Sequence, residues 1–411
     1  MKIRLLFNSF ILLLIIISMF LMVNYSIIFS YFTLIYMLVI AIVAFGYKPC
    51  RIRHTPSCDV LIPAFNEGKH VYKTIKSIMK SDYPDFHVIA IDDGSTDDTR
   101  QWIEKAKKEF PEITTIFCER NRGKKHALAA GIRASNSEII VTVDSDSSVL
   151  PDSLTHLVSP FYDPTVGGVA GNICVQNLEK GLIPKLMDII FVFSYELLRS
   201  SQSRFGVVLC TPGALSAYRR KAVMPILDQW LKQRFLGQKT SIGEDRALTC
   251  MLLREQWLIR YQESAKAYTN MPEKYTGLCK MLLRWVRGDI RENILLAPYI
   301  FRNFSLFNLK SLGLAFHYII FNIGILSPVV ISPVLLIYLI TNYHTAGLIL
   351  FYMLLMILLW SIPPTIIYAR KNSLRYCFHA FSYSIYTLLF LMWIPLYALF
   401  TLNNNNWLTR S

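Results

Sequence analysis

Five long apolar stretches, at 5–23, 27–46, 311–341, 346–368 and 378–402, bracket a polar middle that runs from Ser57 to about Arg302. Each has roughly the 20 apolar residues that cross a bilayer. A chain of 411 residues that is 53% hydrophobic is too apolar for an ordinary soluble protein. The first run is not read as a secretory leader: it is long, no small-residue cleavage site follows it, and a second run begins after only Asn24-Tyr25-Ser26. Lys2 and Arg4 precede the first pair of runs, and Lys48, Arg51, Arg53 and His54 follow it. The positive-inside rule therefore places both ends of that pair, and the polar middle, in the cytoplasm. The predicted layout is a pair of transmembrane helices in 1–47, a cytosolic α/β domain in 57–302, further transmembrane helices in 310–402 and a tail in 403–411. A cytosolic tail requires an even number of C-terminal spans, whereas hydropathy gives three. Either 311–341, which carries Pro328 and Pro333, bends into more than one segment, or one run does not cross.

The formal charge of +15 raises the question of nucleic acid. The cations sit beside the apolar runs and within the α/β portion, not in one basic stripe interleaved with aromatics, so nucleic acid is set aside. Anionic lipid headgroups and an anionic substrate account for the charge better. Eight cysteines lie scattered at 50, 58, 118, 174, 210, 250, 279 and 377 with no Cys-x-x-Cys pair. That pattern indicates neither a zinc site nor a disulfide framework, and reduced thiols are expected. The sequence gives no expectation for the oligomeric state.

Within the polar middle, strand and helix patterns alternate, and the strands end in acids. The run 139–143 is β-branched on both faces, as in a buried parallel strand, and stops at Asp144-Ser145-Asp146. Open α/β sheets bind ligands at that carboxyl edge. Two carboxylates with one residue between them suit Mg²⁺ or Mn²⁺ bridging nucleotide phosphates, although an acidic turn uses the same residues. Upstream, 59–63 forms a short strand closed by Pro63, followed by Ala64-Phe65-Asn66-Glu67. The strand 87–91 then ends in Asp92-Asp93-Gly94-Ser95. An acid there can accept from a base imide or a ribose hydroxyl, and an Asp-Gly turn with a helix cap is the plain alternative. Asn121-Arg122-Gly123-Lys124-Lys125-His126 is a basic turn opening a helix, placed either to meet a diphosphate or simply to be solvated.

Taken together and in order, Asp59–Glu67, Asp92–Ser95, Arg122–Leu128 and Val143–Asp146 resemble the donor half of inverting family 2 glycosyltransferases, whose fold is called GT-A. The acceptor half is similar too. Cys210-Thr-Pro-Gly213-Ala-Leu-Ser resembles the small-residue segment that floors the acceptor pocket of processive members. Gly243-Glu244-Asp245-Arg246-Ala-Leu-Thr249 resembles a stretch of hyaluronan synthases and nodulation chitooligosaccharide synthases. Arg284-Trp285 stands where these enzymes carry Gln-x-x-Arg-Trp, with Met281 in place of the glutamine. Trp407-Leu408-Thr409-Arg410 is similar to a Trp-Gly-Thr-Arg tail, with Leu408 in place of the glycine.

The resemblance implies a membrane-bound, metal-dependent, processive enzyme that builds a β-linked polysaccharide, extracellular or capsular, from UDP-sugars and helps export it. UDP-N-acetylglucosamine is the expected donor, with UDP-glucuronate second. It assigns Asp245 as the base that takes the acceptor proton, and Asp144 and Asp146 to Mg²⁺ or Mn²⁺. UDP would meet Pro63, Phe65, Glu67, Asp93, Lys124, Asp144, Ser145, Arg284, Trp407 and Arg410. The acceptor would meet Cys210, Gly213, Glu244, Arg246 and Trp285. Met281 cannot donate or accept as an amide does, so one acceptor hydrogen bond is lost or supplied elsewhere. Segments near 182–198 and 274–301 mix apolar, aromatic and basic residues and are expected to lie at the membrane interface, with buried core helices as the alternative. A chitin-like polymer synthase, a non-processive transferase acting on a lipid phosphate, and a transporter or binding protein built on a degenerate transferase domain are the competing functions.

Overall fold

A computed structural model describes residues 35–341 and 377–404, with a few isolated positions between them. Ten strands occur among the described residues: β1 (Cys58–Ala64), β2 (Phe86–Asp92), β3 (Thr114–Phe117), β4 (Ile139–Thr142), β5 (Ser148–Val149), β6 (Val166–Val175), β7 (Ser216–Arg219), β8 (Arg234–Phe235), β9 (Gln238–Lys239) and β10 (Leu258–Thr269). Eight form a mixed sheet of order β3-β2-β1-β4-β7-β6-β10-β5, and β8 and β9 form a separate hairpin.

The first four strands of that order are parallel, with Cys58 of β1 level with Phe86 of β2 and Ile139 of β4. The chain runs from β1 to β2 and β3 on one side, then returns to β4 on the other. A sheet that reverses direction in this way leaves a crevice at the carboxyl ends of its strands. β7 enters antiparallel between β4 and β6 and joins this parallel half to the rest of the sheet.

Composition explains why these strands sit centrally. Every residue of β1 and β4 is buried, as expected for parallel strands covered on both faces. The helix Lys69–Ile78 buries Val71, Thr74, Ile75 and Ile78, a spacing of three and four that faces one side to the sheet. Thr74 is the polar exception on that face. Its Oγ1 lies 2.8 Å from the Ser145 carbonyl oxygen and 2.7 Å from that of Ser147, so the hydroxyl clamps the acidic turn after β4 from beneath. Asp59, the first acid of the β1 motif, lies at the opposite end of the strand. Its carboxylate accepts from Ser135 Oγ at 2.5 Å and from the Ser137 N–H at 3.3 Å.

The segments expected at the interface are helical. Leu182–Val192 is followed by a π-helical turn, Phe193–Arg199, and then by Ser200–Phe205. Tyr275–Arg302 is one 28-residue helix. The run with Pro328 and Pro333 is a single helix, Leu309–Thr341, so it does not divide at either proline. Its Leu309–Leu326 portion is long and apolar enough to cross a membrane. Phe381–Leu391 and Trp393–Phe400 meet the same criterion only as a pair, bent by 43°. Of the predicted N-terminal pair, the helix Ile35–Phe45 is described. The run 5–23, most of 346–368, and Trp407 and Arg410 lie outside the described residues.

Candidate active site

A cavity of about 950 Å³ opens at the carboxyl edge of β1, β2 and β4 and extends beneath the helix Tyr275–Arg302 as far as Phe321 of Leu309–Thr341. On its nucleotide side β1 delivers Pro63 and Phe65, β2 delivers Asp93, and β4 delivers Asp144, Ser145 and Asp146. Both Asp93 oxygens are engaged: Oδ1 accepts the Arg122 N–H at 3.1 Å and Oδ2 the Gly123 N–H at 2.7 Å. Asp93 therefore fixes the basic turn at the head of the helix Lys124–Ala134. Burial raises its pKa, against the pull of those two amides.

Lys124, first residue of that helix, crosses to the acids. Its Nζ lies 2.5 Å from Asp144 Oδ1 and 3.0 Å from Glu244 Oε1. Burial alone would depress the ammonium, but Asp144 and Glu244 reverse that and hold its pKa above the ordinary lysine value. Gly213 makes this approach possible. A Cβ there would come within 2.6 Å of Lys124 Nζ and 3.3 Å of both Asp144 oxygens. Gly213→Ala is therefore expected to fold normally, because the displaced atom ends a flexible chain, yet to lower kcat/KM by about tenfold or more through a misplaced ammonium. Initial-rate kinetics alongside a thermal melt separate the two effects.

Asp245 is carried in by the helix Glu244–Arg254, whose first turn holds both acids. Its carboxylate accepts the Arg246 N–H at 2.7 Å and the Gly213 N–H at 3.3 Å. Burial, then the neighbouring Glu244, push its pKa up to about 6, while Lys124 and the Arg246 amide restrain the rise. A carboxylate of that pKa is ionised at neutral pH and basic enough to accept a hydroxyl proton. The loop before it has a tight support. Gly243, with φ +72°, would place a Cβ 3.1 Å from Gly288 Cα on the helix Tyr275–Arg302.

The far side of the cavity is aromatic and basic. Trp285 stacks against Phe191, with ring centroids 6.3 Å apart and planes at 27°. Arg199 lies 4.1 Å from the Tyr195 ring centroid, and its Nε donates to the Cys210 carbonyl at 3.2 Å. Arg246 donates from Nη2 to Asn293 Oδ1 at 2.6 Å, and Asn293 in turn donates to Asn322 Oδ1 at 3.1 Å.

Of the residues singled out in the sequence, Pro63, Phe65, Asp93, Lys124, Asp144, Ser145, Asp146, Cys210, Gly213, Glu244, Asp245, Arg246, Arg284 and Trp285 all line this one cavity. Glu67 does not; its backbone N–H donates to Thr99 Oγ1 at 2.8 Å in the turn behind Phe65. Glu244, expected at the acceptor, lines the cavity with one carboxylate oxygen against Lys124. Phe191, Tyr195, Arg199, Asp289 and Phe321 line the cavity without having been singled out. The spacing 281, 284, 285, 288, 289 marks one face of a helix and could have found Asp289. Nothing in the residue pattern announces the π-helical turn that aims Tyr195 and Arg199 inward.

The site suits a divalent cation in its chemistry. Asp144 and Asp146 supply oxygen only, and the Lys124 ammonium already places positive charge against Asp144. Among the described residues no third His, Cys, Asp or Glu completes a cluster. Two carboxylates with the remaining positions left to phosphate oxygens and water is the usual arrangement for Mg²⁺ at a nucleotide.

Strand-end acids facing a basic helix N-terminus, with a further acid brought in on a separate helix, define a nucleotide-sugar transferase of the GT-A type. Comparison with known proteins agrees. Residues 59–227 match the glycosyl transferase family 2 model. An N-acetylglucosaminyltransferase of Mesorhizobium japonicum is 32% identical over 365 residues, spanning 87% of this chain and 82% of the relative. Its counterpart from Rhizobium meliloti is 31% identical over 89% of this chain and 84% of its own length. A hyaluronan synthase of Streptococcus pyogenes is 32% identical over 63% of this chain and 64% of its own length. A mannosyltransferase of Pyrobaculum calidifontis, solved with GDP-Man and Mn²⁺, shares the fold, with a TM-score of 0.61 at 18% identity across 90% of this chain and 98% of that one. The chain belongs to glycosyl transferase family 2.

Proposed function

We propose that this glycosyltransferase is a membrane-bound, inverting, processive enzyme that polymerises UDP-N-acetylglucosamine into a β-linked polysaccharide and passes the product toward the bilayer. The observation that carries this reading is the continuity of the cavity from Asp144 and Lys124, past Asp245, to Trp285 and to Phe321 on the long apolar helix. A donor and an acceptor need to meet at one base, and a growing chain needs an apolar helix beside its path. The Mesorhizobium japonicum and Rhizobium meliloti relatives named N-acetylglucosaminyltransferase align over more of this chain than the hyaluronan synthase does, which favours that sugar. UDP-glucuronate remains the second donor to test, since a hyaluronan-like product requires both.

In the mechanism that follows, Asp245 takes the proton of the acceptor hydroxyl as that oxygen attacks the anomeric carbon opposite the departing UDP. Lys124 and Arg284 face the diphosphate and stabilise the charge that develops on it. A divalent cation held by Asp144 and Asp146 would supply Lewis-acid stabilisation of the same leaving group. Trp285 presents a ring face for the terminal sugar, and Gly213 and Cys210 bring backbone close beneath it. One displacement suffices, so no enzyme nucleophile is needed.

Because the base works ionised and burial raises its pKa to about 6, kcat/KM is expected to hold above that pH and to fall about tenfold per unit below it. A pH profile flat down to pH 4.5 would remove Asp245 from the role. The function as a whole is tested by incubating the purified chain with Mn²⁺ or Mg²⁺ and each UDP-sugar, singly and paired. UDP release is measured and the product digested with polymer-specific hydrolases. A product bearing one sugar on a lipid phosphate would defeat the processive reading.

A further inference from the structure

Resting on that transferase reading, we infer that Asp289 and the Nε–H of Arg246 together bind a hydroxyl of the acceptor sugar, and that this pair restricts the acceptor to a neutral terminus. Arg246 is 2% exposed. Its Nη2 is satisfied by Asn293, but its Nε is buried and has no hydrogen-bond partner among the described residues. Buried guanidinium N–H groups without a partner are rare in folded proteins and call for one. Facing this nitrogen at 3.8 Å is Asp289 Oδ1, too far for a hydrogen bond. The Asp289 side chain is 26% exposed, lines the cavity, and accepts no hydrogen bond from the described residues. A donor and an acceptor separated by that gap suit one intervening hydroxyl, which accepts from Nε–H and donates to the carboxylate.

Asp289 shares a helix face with Met281, Arg284 and Trp285, all of which line the cavity. Met281 offers no amide to a sugar, and Asp289, two turns further along the same face, supplies a polar contact in its stead. The selectivity follows from charge. The hydroxyl that separates the two sugar types is the primary one at C6: a uronate carries a carboxylate there, which could accept from Arg246 but has no proton to give Asp289 and would stand beside a second anion. A neutral sugar meets both partners. Like-charge contacts of this kind discriminate by repulsion as much as by attraction.

The test uses the full chain in detergent micelles with UDP-N-acetylglucosamine and two trisaccharide acceptors, one ending in N-acetylglucosamine and one in glucuronate. The wild-type protein is expected to elongate the neutral acceptor and to disfavour the uronate-ended one. Asp289→Ala should raise the KM for the neutral acceptor by about tenfold or more, well beyond any change in the KM for the UDP-sugar. Asp289→Asn, which keeps an acceptor oxygen and loses the charge, should retain more affinity for the neutral acceptor and gain the most on the uronate-ended one. The inference is overturned by equal wild-type use of both acceptors, by an unaltered acceptor KM in Asp289→Ala, or by donor and acceptor KM rising in parallel. If the wild-type protein releases no UDP from any UDP-sugar, the transferase reading itself fails and this inference falls with it.

Discussion

Asp245→Asn is expected to lower polymer synthesis by about 10²–10⁴-fold while UDP-sugar binding persists. The amide keeps the shape of the side chain, and its carbonyl oxygen can still accept the Arg246 N–H that holds the carboxylate at 2.7 Å, while its NH2 gives up the longer, 3.3 Å contact from the Gly213 N–H. What it loses is the ability to take a proton. Because Lys124 bonds Asp144 and Glu244 and not Asp245, the nucleotide side of the cavity keeps its ion pairs. Removing the negative charge also leaves Lys124 with one fewer neighbouring anion, so donor affinity should change little. Calorimetric titration of UDP-N-acetylglucosamine into the variant, paired with initial rates, distinguishes a lost base from a damaged site. A variant that polymerises near the wild-type rate would sink the mechanism.

The second large effect is expected on the opposite wall. Chelation with EDTA should stop UDP release and added Mn²⁺ or Mg²⁺ should restore it, whereas Asp144→Ala should remain about 10²–10³-fold slow at any cation concentration. Asp144 is the closer of the two Lys124 partners, so its removal takes away a cation ligand and the anchor of the ammonium together. The fold should survive. The turn that carries Asp144 is clamped through the main-chain carbonyls of Ser145 and Ser147 by Thr74, contacts that an alanine at 144 leaves untouched. A rate insensitive to EDTA would exclude the metal-dependent scheme, and full recovery of Asp144→Ala in excess Mn²⁺ would reassign the ligand.

Much of this site is legible in the linear chain because its parts are strand ends. A β-branched run that stops at an acid states both where the strand is buried and where its acid emerges, and β2 and β4 follow that grammar, whereas β1 ends at Pro63 and Ala64. The residues around Gly213 and Asp245 are recognisable only by resemblance, since small residues and an acidic helix start occur in many folds. Three things escaped for physical reasons. Asp93 looked free to meet a nucleotide, but its orientation depends on a loop nearly thirty residues away, whose amides it binds. Glu244 and Asp245 are adjacent, and only helix geometry sets one against Lys124 and the other against the Arg246 and Gly213 amides. Tyr195 and Arg199 reach the cavity through a π-helical turn, which breaks the 3.6-residue period by which sequence patterns are read. Of the two alternatives left open for 311–341, the structure bears on division into separate segments, and there the helix Leu309–Thr341 runs on through Pro328 and Pro333.

One contact links the long apolar helix to the cavity. Arg246, next to the base, is joined through Asn293 to Asn322, midway along the helix Leu309–Thr341. In the membrane placement proposed above, a helix whose apolar length does not match the hydrocarbon thickness answers by tilting. Tilt at Asn322 reaches the guanidinium beside Asp245 across two hydrogen bonds. In that placement, turnover is expected to vary with the acyl-chain length of the host membrane, which initial rates in vesicles of different lipid length would check.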